Sequence, residues 1–309
     1  MKHFIFIIMI LSLSVYALFA GGNKEDAGGK PQVVAVNFPA YDFARQIAED
    51  RISLTMLLPP GSESHSFEPT PRDIIKIKNC AVFIYTGGES DDWVSRILES
   101  TDASKKKIVS MMNAVDLVEE EIVEGMEAEE EEGAAYDEHV WTSPKNAVKI
   151  VRVITDALCQ ADTADESFFR RNAEAYIAEL RNLDAEFQAV VSGAKCRTII
   201  FGDRFPFRYF ADAYGLKYYA AFPGCSTETE PSAATVAFLI NKIKAEKIPV
   251  VFHIELSNEK MADTIAAETG AKKLLFHAGH NISKRDFERG VTFLEIQKAN
   301  VPRLKEALR

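Results

Sequence analysis

The chain has 309 residues, enough for two compact domains or one large one. An apolar fraction of 47% beside 27% charged residues excludes a disordered or fibrous protein. The net charge of −10 argues against a nucleic-acid partner, whose phosphates need a basic face, and is compatible with attracting cations.

Lys2 precedes an apolar run over residues 4–19, too short to span a bilayer comfortably, and AGG follows at 20–22. Residues 1–20 therefore read as a secretory signal and 21–31 as a flexible polar tether. Leu18 stands where a small residue usually precedes the cut, and LFAG at 18–21 has lipoprotein-box spacing with Gly21 in place of cysteine. Export with cleavage is favoured; an uncleaved N-terminal anchor and an atypical lipoprotein stay open.

Beyond the tether, apolar runs at 32–36, 52–58 and 81–85 read as strands, separated by helical patterns at 41–49 and after Thr70. Thr70 can cap that helix, Pro71 suits its first position, and Asp73 favours its positive dipole end. A further helix covers 91–100. Residues 116–138 break the alternation: twelve of the 23 are Asp or Glu and none is Lys or Arg, which predicts a mobile insertion. Its carboxylates either gather loosely held cations or form a solvated spacer.

A single helical pattern runs from 167 to 191 and would reach roughly 35 Å, enough to cross between domains. Strands at 198–201, 217–221, 250–254 and 273–277 then alternate with helices at 207–214, 231–246 and 258–269, and 286–308 closes as helix. The fold class is α/β: two lobes with central, mostly parallel sheets, joined by one long rigid helix. The lobes are placed at 32–164 and 193–309, with the linking helix at 165–192.

Of six histidines, two sit in matching settings on either side of the acidic segment. His65 lies in PPGSESHSFEPTP (59–71) and His139 in DEHVWTSPKN (137–146). Imidazole is the commonest side-chain ligand for borderline divalent metals, so the pair points to a metal site rather than to surface histidines. Cys80, Cys159, Cys196 and Cys225 form no CxxC motif; an exported chain could pair them or keep them as buried free thiols, and the spacing assigns no disulfide.

These two motifs resemble the ligand segments of the cluster A-I solute-binding proteins of ABC importers, the ZnuA and TroA type. FPG at 222–224 and EPS at 230–232 are similar to a loop of the family's second lobe, and the likeness covers about residues 32–308. It implies a monomeric receptor that holds a metal in the interlobe cleft outside the inner membrane and delivers it to a permease. Each lobe would supply two ligands. The family's third ligand is a histidine at the end of the first strand of the second lobe, but this chain reads FGDRF at 201–205. The fourth is a carboxylate after the last strand, where LFHAGHN stands at 275–281. The resemblance therefore implies His65, His139 and His277 as ligands, with His280 either replacing the missing histidine or orienting His277.

Asp203 reads equally as ligand or as salt-bridge or cap residue, His253 as packed within its strand, and Glu255 as a strand-end residue facing the cleft. Three or four imidazoles suit Zn²⁺, whereas Mn²⁺ prefers more carboxylate oxygen. An exported zinc enzyme and an adhesin are the competing classes. No HExxH pair or nucleophile elbow supports the enzyme.

Overall fold

The computed structural model describes residues 29–63, 67–102, 104, 106–126, 136–226 and 231–309. The signal segment, most of the tether, His65, residues 127–135 and Glu230 lie outside the described residues.

The first half contains strands β1 (Gln32–Ala35), β2 (Ser53–Met56), β3 (Val82–Tyr85) and β4 (Lys107–Ser110), with helices α1 (Phe38–Ala48), α2 (Pro71–Asn79) and α3 (Trp93–Glu99) between them. Helices α4 (Pro144–Ala161) and α5 (Glu166–Ser192) follow. The second half contains strands β5 (Thr198–Phe205), β6 (Lys217–Pro223), β7 (Val250–His253) and β8 (Lys272–Leu275). Its helices are α6 (Arg208–Tyr214), α7 (Ala233–Glu246), α8 (Lys260–Thr269), α9 (Lys284–Glu288) and α10 (Phe293–Ala307). Both sheets are parallel, in the orders β2-β1-β3-β4 and β6-β5-β7-β8, so each half repeats one topology.

The central strands are apolar runs buried on both faces, as a helix-covered parallel sheet requires; Val33, Val82, Ile200 and Phe252 are all fully buried. Helix starts follow side-chain chemistry. Asn37 caps α1, and Thr70 and Asp73 form a reciprocal capping box at α2 behind Pro71.

Helix α5, of 27 residues and about 40 Å, joins the two cores. Phe169, Tyr176, Ile177 and Leu180 pack into the first, and Leu183, Phe187 and Val191 into the second. It has a companion: α10 also packs on α5 and α1. Phe293 stacks edge-on against Phe43 at 5.1 Å and donates its N–H to the buried Asp42 carboxylate at 2.7 Å. Helix α10 thus reinforces the junction that the long helix makes, with Phe293 in the first core and Leu304 in the second.

Two other points differ from the sequence reading. The stretch 286–308 is not one helix, because Gly290 at φ 72° breaks α9 from α10. Strand β4 and helix α4 went unforeseen. The described part of the acidic segment touches the second half while much of it stays exposed. Val123 and Met126 lie against the second core, Glu121 pairs with Arg208 at 3.5 Å, and Glu124 pairs with Lys242 at 3.8 Å. Its self-repulsion is offset by basic residues on the neighbouring half.

Candidate metal centre

In open parallel sheets, ligands bind beyond the carboxyl ends of the strands. The carboxyl ends of both sheets here border one small cleft. Ser62 and Glu63 follow β2, Arg204 and Pro206 lie at the end of β5, and Gly224 follows β6. Glu255 follows β7, and His280 and Asn281 follow β8. His139 enters from the turn before α4. The cavity measures about 40 Å³, room for an ion and a water or two but not for an organic solute.

His139 is fully buried, and its Nδ1 lies 3.2 Å from Asp137 Oδ1. A carboxylate there accepts a hydrogen bond from Nδ1–H, which leaves Nε2 as the lone-pair nitrogen, the tautomer a metal needs. Burial opposes a charged ring, but the carboxylates of Asp137, Glu138 and Glu120 outweigh it and raise the His139 pKa above the ordinary imidazole value. The same negative potential favours a dication. Glu120, from the acidic segment, accepts from Cys225 N at 3.0 Å, and burial is the main reason its pKa is raised. Gly224 is required beside it: a Cβ there would come within 2.9 Å of Phe205 O and 3.2 Å of Asp137 Oδ2.

His280 faces His139 across the cleft, with ring centroids 5.3 Å apart and planes at 85°. Two imidazoles on one tetrahedral zinc, with Zn–N near 2.0–2.1 Å, place their centroids about 5 Å apart. The pair therefore fits a shared ion. Trp141 backs both rings, at 5.5 Å from His139 and 4.9 Å from His280, and its Nε1 donates to Ala278 O at 3.0 Å.

The loop bearing His280 is held from several sides. Glu255 accepts from Ala278 N at 2.7 Å and His280 N at 3.0 Å. Burial would raise this carboxyl, yet the His277 imidazole and the N–H groups it accepts from hold its pKa below the usual range. From α10, Asn300 and Gln297 donate to His277 O at 2.9 and 3.1 Å. Gly279, at φ 77°, turns the chain where a side chain would press on Phe293.

The four expected ligands are thus separated. His139 and His280 come together. His277 does not line the cleft; its Nδ1 lies 3.2 Å from Glu255 Oε2 and 3.0 Å from Gly279 N. His65 lies outside the described residues, two positions beyond the cleft-lining Glu63. Among the described residues no three His, Cys, Asp or Glu side chains gather as a metal cluster. The Asp203 carboxylate accepts from Arg204 N and Ile254 N, tying the end of β5 to that of β7. His253 is buried, with Nδ1 against Ile254 O at 3.1 Å. Sequence reasoning passed over Arg204, which pairs with Glu63 at 3.2 Å across the cleft, and Asn281. No local motif marks either; their partners are more than a hundred residues away in the chain.

Two repeated parallel α/β halves with an ion-sized cleft at their facing strand ends define a two-lobed solute-binding protein. The chain belongs to the ZnuA family, described as zinc-uptake complex component A, periplasmic, whose model matches residues 33–307. It is 33% identical over 295 residues to the high-affinity zinc uptake system protein ZnuA of Bacillus subtilis, covering 93% of this chain and 90% of that protein. It is 31% identical to the zinc-binding lipoprotein AdcA of Streptococcus pneumoniae over 97% of this chain, and spans 60% of that longer protein. Among solved structures, the Zn(II)-bound ZnuA-like domain of S. pneumoniae AdcA superposes with a TM-score of 0.75 at 30% identity, covering 91% of this chain and 99% of that one.

Proposed function

We propose that this protein captures Zn²⁺ outside the cytoplasm and delivers it to the permease of an ABC-type importer. His139 and His280 hold the ion, and His65 joins them from the loop beyond Glu63. His277 stands behind them and orients Glu255, which in turn anchors the backbone of His280. The ion is cargo, so the family's receptor role and the absence of a hydrolase motif fit together without a catalytic step. Zinc rather than manganese follows from a donor set of neutral nitrogens. The names and zinc-bound state of the relatives support the same choice.

The observation that carries this reading is the 5.3 Å separation of the His139 and His280 rings across an ion-sized cleft. Metal analysis of purified protein tests it. Wild-type protein is expected to hold one zinc per chain, and His280→Ala to lose it. His277→Ala is expected to retain stoichiometric zinc with affinity reduced about ten- to a hundredfold, as for an outer-shell partner. Zinc kept by His280→Ala and lost by His277→Ala would reverse the two roles.

A further inference from the structure

The stem of residues 59–63 leads from β2 to the segment containing His65, and it is fastened to the other half of the molecule. Gly61 N donates to Ile282 O at 2.8 Å, and Glu63 pairs with Arg204 at 3.2 Å. Between these ties lies Asn281, only 2% exposed. Its Nδ2 donates to Pro59 O at 2.8 Å and to Ser62 O at 2.9 Å, while its Oδ1 accepts from Ile282 N at 2.9 Å. The last bond fixes the amide plane, so both hydrogens of one –NH₂ group are directed at two carbonyls of the stem. Asn281 is also the next residue after His280 and lines the cleft.

We infer that Asn281 is a positioning residue for the metal: its amide sets the spacing between the loop bearing His280 and the stem of the loop bearing His65. This rests on the zinc-capture reading above. An ion in the cleft leaves when the His280 loop and the stem 59–63 that border it part, whereas its first encounter needs only part of the ligand set. The amide therefore governs residence more than capture, in keeping with the general weight of dissociation in affinity differences. A buried carbonyl that loses its donor is also costly to leave dry, which makes the peeled arrangement easier to reach when the amide is gone.

Two variants separate the possibilities. Asn281→Asp keeps the shape and the acceptor for Ile282 N but removes both N–H donors; Asn281→Ala removes the whole group. Zinc release into excess chelator is expected to be about ten- to a hundredfold faster in both, with association unchanged. The visible absorption of bound Co²⁺, which reports ligand geometry, is expected to change. In metal-free protein, hydrogen exchange at the Gly61 amide is expected to rise while the amides of β1 stay protected. Unchanged release, or unchanged Gly61 exchange, would overturn the inference. So would a uniform rise in exchange across both sheets, which would mark a general packing role. Wild-type protein that holds no zinc would sink the capture reading and the metal role with it. The Gly61 exchange would still decide whether the amide links the loops.

Discussion

His139 and His280 follow β4 and β8, the corresponding edge strands of two sheets with the same strand order. The stem 59–63 and Gly224 follow β2 and β6, the other corresponding pair. One topological place thus supplies an imidazole in both halves, while the other supplies the stem that leads toward His65 in one half and a bare glycine in the other. The routes differ too. His280 follows directly from β8 and is held by Glu255 and α10, whereas the whole acidic segment intervenes between β4 and His139. The repeat determines where side chains can reach the cleft, and local residues determine which of them carry chemistry.

Trp141 is the largest test of this contrast, because it joins His139 in one half to the His280 loop in the other. It is fully buried, and Trp141→Ala is expected to lower stability by about 3–5 kcal/mol in urea unfolding. Zinc affinity should fall with it. Full zinc affinity after that loss would mean that each half presents its imidazole unaided. Lys106 offers a control remote from the cleft. Its buried Nζ donates to Ile77 O at 2.6 Å and Lys78 O at 3.0 Å, closing the C-terminal end of α2. Lys106→Met is expected to cost about 1.5–3 kcal/mol with zinc binding unchanged. A matching loss of affinity would show that the first half is not built independently of its cleft. Smallest is Glu124→Gln, which removes an exposed partner of Lys242 at 3.8 Å. Under about 1 kcal/mol is expected in the same unfolding assay, and a larger change would make the acidic segment a structural strap.

Much of the fold was legible because its signals are local. The apolar runs of β1, β3 and β7, and the Thr70-Pro71-Asp73 start of α2, are readable within a few residues. Strand β4 is four residues long, with only Val109 buried, so its pairing with β3 decides it more than its composition does. The contacts of Glu121 and Glu124 in the acidic segment were not legible because their partners, Arg208 and Lys242, lie in the distant second half. At the site, His139 and the neighbourhood of His65 stood out as motifs. That His280 and not His277 lines the cleft depends on the loop turn at Gly279, and Asn281 has no signature apart from the carbonyls it meets in space.

The placing of Trp141 has an optical consequence. The chain has two tryptophans, and this one presents its indole to both facing imidazoles. An aromatic face feels charge arriving at either ring. Its emission should therefore register an ion entering the cleft without any attached dye, once the signal of Trp93, packed near Phe67, is subtracted.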